Sequence, residues 1–163
     1  MPGLLTFLIG AAAITAESAL WGVFAHPSVG AQVGLAFVLW AALRREFETG
    51  AFLALGWFPF VGWTVGAPGG SYVLAAAGTF VALAAATRDE TSTWGFRQVA
   101  AGAAGGALHA ALFLAILAAA GAKSHLMVSV ARAAPLAVVQ TTIVLWPLGW
   151  AMEQIDERLS RRT

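Results

Sequence analysis

Arg44-Arg45-Glu46-Phe47-Glu48, a charge-free run from Gly50 to Ala67, and Pro68-Gly69-Gly70 leading into Ser71-Tyr72-Val73-Leu74 form the stretch that decides the fold. A charged turn opens it, an apolar crossing follows, and a tight uncharged turn starts a return. At about 1.5 Å rise per residue, Gly50–Ala67 reaches roughly 27 Å as a helix, close to the ~30 Å hydrocarbon core of a bilayer. Pro59 removes one helical hydrogen bond inside the run and predicts a kink.

The same alternation extends outward in both directions. Upstream, Val29–Leu43 is an apolar run that Arg44 and Arg45 prolong by burying their stems and keeping their charged heads wet. His26-Pro27-Ser28 breaks it from Leu4–Ala25, because Pro27 disfavours helix at His26. Val23-Phe24-Ala25 loosely resembles a signal-cleavage site. However, no Lys or Arg precedes the run and Glu17 interrupts it, so a retained span is expected. Downstream, Ser71–Thr87 is the fourth run, Gln98–Gly121 the fifth and Leu126–Met152 the sixth. Asp89, Glu90 and Arg97 lie in the polar connection between the fourth and fifth, and Glu153–Thr163 forms a charged tail.

Composition supports the same medium. The 163 residues are 60% hydrophobic and 10% charged, against about 25% charged in a soluble domain, so a chain this apolar cannot cover its own surface in water. The net charge of +1 excludes a strong field toward nucleic acid, and the absence of cysteine excludes disulfides and thiol chemistry. The expected fold class is all-α: a polytopic membrane protein with six transmembrane helices in one compact bundle. Residues 1–163 form a single membrane domain, and residues 153–163 are its cytoplasmic tail. Arg44, Arg45, Arg88, Arg97, Arg158, Arg161 and Arg162 then share one side, which places both termini of a multi-pass membrane protein in the cytoplasm. Trp40, Trp94, Trp146 and Trp150 would belt that side, and Trp21, Trp63 and Tyr72 the other. In the tail, Met152, Ile155 and Leu159 share a helical face expected to lie on the membrane surface, with a docking helix as the alternative.

Polar groups within apolar runs carry the most information. Glu17 and Arg132 lie about 13 Å and 9 Å down their helices from the same side. A charge in a span is costly, so the two are expected to neutralise each other and tie the first helix to the sixth. A substrate or proton site is the functional alternative. His109 and Gln140 lie near the middle of spans five and six. With no second ligand at metal spacing, His109 is expected to be a satisfied core group, and no metal or cofactor is expected. Gly30 and Gly34, Gly62 and Gly66, and Gly102 and Gly106 are each spaced for close helix approach, compatible with a tight bundle or a homo-oligomer. No phosphate-binding Gly-Lys-Ser/Thr loop, His-Glu-x-x-His helix or Gly-x-Ser-x-Gly elbow is present, so an enzyme is not expected.

Four patterns in and after the opening stretch resemble one family. They are Arg44-Arg45, Gly50-Ala51-Phe52-x-Ala54-x-Gly56, Phe60-Val61-Gly62-Trp63 and Gly66-Ala67-Pro68-x-Gly70-x-Tyr72-x-Leu74. Together they resemble the rod-shape-determining membrane protein MreD family. The last span and tail, Pro147-Leu148-Gly149-Trp150 and Asp156-Glu157-Arg158, are similar to that family's proline-rich last span and charged end. Relatives often carry an acidic residue shortly before the turn, where Gly62 stands here. The resemblance implies a non-catalytic subunit of the cell-wall elongation machinery. It would bind the bitopic protein MreC, sit among membrane lipids beside the RodA glycosyltransferase and its transpeptidase, and link MreB filaments to peptidoglycan synthesis. Gly66, Pro68, Gly70 and Tyr72 would form its partner-facing turn. The family also resembles the substrate-binding S components of ECF vitamin transporters in fold, which supplies the alternative function. Glu17, His26, Tyr72, Ser129 and Arg132 would then face an outward pocket.

Overall fold

Helix α2, Gln32–Arg44, has no polar face, and a helix that is apolar all round must be covered all round. It touches each of the other five helices, and every residue from Gly34 to Leu43 is buried. The structure is a computed structural model and describes residues 2–24, 32–65, 70–87 and 95–160. Around α2 stand α1 (Pro2–Phe24), α3 (Phe47–Val65), α4 (Ser71–Ala86), α5 (Phe96–Ala119) and α6 (Ser124–Ser160). The described residues are all-helical and contain no strand.

The expected spans map onto these helices with shifts of two or three residues at most ends. The sixth is the exception. Span and tail form one continuous helix of 37 residues, running past Pro135 and Pro147, both of which face outward. Met152 is buried in the core and Ile155 packs against it. The start of the tail therefore docks on its own bundle. Helix α3 likewise runs through Pro59, which lies on its exposed side.

Short connections force neighbouring helices antiparallel. Arg45 and Glu46 alone separate α2 from α3, with the Arg45 N–H returning to the Ala41 carbonyl at 3.1 Å. Helix α5 ends in a Gly121 turn whose Ala122 N–H donates to the Leu117 carbonyl at 2.9 Å. At the start of α5, the Gly95 N–H donates to Gln98 Oε1 at 3.1 Å, which satisfies one otherwise orphaned end group.

The core is aromatic and interlocked. Trp57 of α3 is fully buried, lies 5.1 Å from Phe37 of α2, and donates its indole N–H to the Phe7 carbonyl of α1 at 3.1 Å. Gly34 faces Val61, Gly102 faces Leu145 and Gly106 faces Val138, so three of the spaced glycines do lie at helix contacts. Trp40 corrects the expected belt: it is a core residue, 1% exposed, with the Arg45 guanidinium 4.9 Å above its ring. Trp146 and Trp150 do face outward.

Outside this core the surface is apolar. Leu4 on α1, Phe52 and Leu55 on α3, Leu74 and Val81 on α4 and Ile143 on α6 are all exposed. Two segments, Phe96–Ala119 and Ser124–Ile155, are long and apolar enough to cross a membrane. Four further apolar segments, Gly3–Glu17, Val33–Arg44, Phe47–Val61 and Ser71–Ala86, are shorter.

Candidate functional site

The N-terminus of α2 leaves backbone N–H groups without helical partners. Glu17 of α1 meets one of them. Its carboxylate oxygens accept the Val33 N–H at 3.3 and 3.1 Å, and the residue is 9% exposed. A carboxylate also suits the partial positive charge at a helix start. Arg132 lies elsewhere. Thr141, Leu145 and Met152 form the buried face of α6, and helical spacing turns Arg132 to the opposite, exposed face. No ion pair joins Glu17 to Arg132 in the structure.

A second polar position lies between α4 and α5. Tyr72 and His109 are buried, with ring centroids 4.4 Å apart and edge to face. Phe113, one turn beyond His109, stacks parallel to the imidazole at 6.3 Å and meets Tyr72 at 5.5 Å. Gly70 sets the entry to α4. At φ 73° it occupies the left-handed region that glycine adopts without steric cost, and the chain then enters the helix with Tyr72 facing inward. Gly66 and Pro68 lie outside the described residues.

His109 departs from the expected satisfied core group. Both ring nitrogens are buried with no hydrogen-bond partner. The Ala75 carbonyl on the facing helix interacts with the imidazole but also accepts Thr79 Oγ1 at 2.8 Å, and it gives His109 no well-formed hydrogen bond. An unmet buried donor costs about 1–3 kcal/mol, while an apolar replacement of similar size removes that cost. His109→Leu should therefore be neutral or raise stability by about 1 kcal/mol in thermal unfolding from mild detergent. A clear loss of stability would mean that the imidazole has a partner. Gln140 is half-buried on α6 and its amide makes no hydrogen bond within the described residues.

At the opposite end of the bundle, Arg44 at the end of α2 forms an ion pair with Glu153 of α6, each side chain about a quarter exposed. Sequence reasoning missed this pair, because it assigned Arg44 to the membrane edge and Glu153 to the tail. The available signal was that both residues close apolar runs at the same end. Arg44, Arg45, Arg97 and Arg158 lie toward that end, and Lys123 toward the other.

The arrangement thus holds one carboxylate at a helix start and one unmet imidazole in an aromatic setting. Among the described residues, no three histidine, cysteine or acidic side chains gather as a metal set would require. No protein-family model, no curated protein and no solved structure matches this chain.

Proposed function

We propose that the chain crosses the bacterial inner membrane six times and acts as a non-catalytic scaffold of the cell-wall elongation machinery. In this reading it holds an MreC-like bitopic protein near RodA and its transpeptidase, and so links MreB filaments to peptidoglycan synthesis. The carrying observation is the α3–α4 turn. The sequence Gly66-x-Pro68-x-Gly70-x-Tyr72 resembles the MreD turn, and Gly70 stands in the left-handed conformation that makes glycine the favoured residue there.

Helix lengths support the crossings. The 23 residues of α1 and 19 of α3 reach about 34 and 28 Å, and the 24 of α5 about 36 Å. The 13 residues of α2 reach only about 20 Å, but α2 is sheathed by protein and so need not match the lipid thickness itself. An apolar outer surface around an apolar core is what lipid as solvent requires. Arginines gathered at one end support cytoplasmic termini.

One observation favours the transporter-like alternative. Tyr72 beside the unmet His109 nitrogens is the kind of convergent polar pair that a small-molecule site needs. Purification of the full chain from native membranes in mild detergent separates the two readings. Co-purification of an MreC-like single-crossing protein supports the scaffold. A retained small molecule or an ATPase module supports the transporter component and ends the scaffold reading.

A further inference from the structure

Helix α6 presents one outward face that differs from the other outward faces. Leu136, Val139, Ile143, Trp146 and Trp150 are exposed at alternating spacings of three and four, the pattern of a helix–helix seam. Arg132 lies on the same stripe, one turn above Leu136, and is exposed. Among the described residues it is the one exposed charged side chain lying well inside an apolar run. It sits about 12 Å along α6 from Ser124. Gln140, half-buried with an amide that makes no hydrogen bond within the described residues, edges the stripe about 12 Å further on. On α1, α3, α4 and α5 the outward faces are apolar away from their ends, and the exposed Thr15 hydroxyl is already bonded to the Ala11 carbonyl at 2.8 Å.

Charged and amide side chains within a span normally face protein or water, because hydrocarbon leaves them unpaired. Here Arg132 lies on, and Gln140 at the edge of, a face that the described residues leave bare. We infer that the outward face of α6 is a docking surface for a single membrane-crossing helix carrying a carboxylate in its outer third. The carboxylate would pair with Arg132, and a hydrogen-bonding residue about two turns deeper would meet Gln140. The apolar positions between them would pack along the seam. A second copy of this chain fits poorly, since a two-fold contact centred on this stripe would bring Arg132 against Arg132 in a low-dielectric medium. Lipid alone covers Leu136 to Trp150 well but gives the Gln140 amide no partner. The inference rests on the membrane-scaffold reading and specifies where its bitopic partner binds.

The test places the photo-crosslinker p-benzoylphenylalanine at Val139 in the full chain, in its native membranes, with Val81 on α4 as the exposed control. Adducts are identified by mass spectrometry. The expected adduct at Val139, absent at Val81, is a protein of one span with Asp or Glu in its outer third. Arg132→Glu should lower its yield at least tenfold, and changing that acidic residue to Lys should restore it. Arg132→Ala should also lower the yield while leaving the detergent-solubilised chain monodisperse, since the side chain is exposed. The inference is overturned by adducts to lipid alone, to a second copy, to a protein without that carboxylate, or to one whose yield ignores Arg132, and equally by no adduct at all. Its failure is separable from failure of the scaffold reading. A single-span adduct with no role in wall synthesis keeps the surface and removes the elongation assignment. An MreC-like protein that co-purifies yet crosslinks only at Val81 does the reverse.

Discussion

Gly10→Ala should destabilise the bundle by about 2–4 kcal/mol, a large loss for adding a single methyl group. A Cβ at position 10 would lie 2.5 to 2.6 Å from three indole atoms of Trp57. Trp57 has nowhere to go. It is fully buried, held by Phe37 on one side and by its bond to the Phe7 carbonyl. Overpacking a filled core costs about 1–3 kcal/mol, and loss of the indole hydrogen bond adds about 1 kcal/mol. Trp57→Phe should itself destabilise, yet in the Gly10→Ala background it should recover part of the loss, since it vacates the space the methyl group needs. That non-additivity, read from thermal unfolding in mild detergent, is the signature of direct contact. Simple additivity of the two changes would mean that α1 does not rest on Trp57.

Glu17→Ala should cost about 2–3 kcal/mol, and Glu17→Gln distinctly less. The alanine variant strands the Val33 N–H at the start of the one helix that every other helix covers, and it removes a negative charge from a positive helix end. Glutamine keeps an oxygen acceptor in place and gives up only the charge. The same unfolding measurement checks the order. Equal losses for both variants would assign the whole effect to charge, and no loss for either would remove Glu17 from the α1–α2 contact. Arg132→Ala gives the contrast. If Glu17 were neutralised by Arg132, the two alanine variants would destabilise together and couple. With Arg132 on the outward face, Arg132→Ala should leave stability within about 0.5 kcal/mol.

The contrast between these two residues shows where reading the chain succeeded and where it stopped. Both sit at similar depth, and depth follows from counting residues at a fixed rise. Whether they meet depends on how far each helix is rotated about its own axis. For α6 that rotation was partly legible: Thr141, Leu145 and Met152 fall on one side, and Arg132 falls opposite them. Trp40 shows the same limit from the other direction. Its position near Arg44 and Arg45 suggested the membrane edge, but α2 is enclosed and the ring lies in the core under Arg45. The turn at Gly70 was legible because left-handed backbone has a chemical signature in glycine.

The order of six apolar helices, the ends they share and the side that carries arginine were all determined by the sequence alone. Hydrophobicity and rise per residue are local quantities that add along a chain. Only the tertiary structure decided that α2 is the central helix, that Glu17 serves its N-terminus, that Arg44 reaches Glu153, and that Arg132 and Gln140 lie on an unshared face. The physical reason is that the outer surface is as apolar as the interior. Inward and outward sides of such helices therefore look alike in sequence, and the packing of bulky rings against glycines chooses between them.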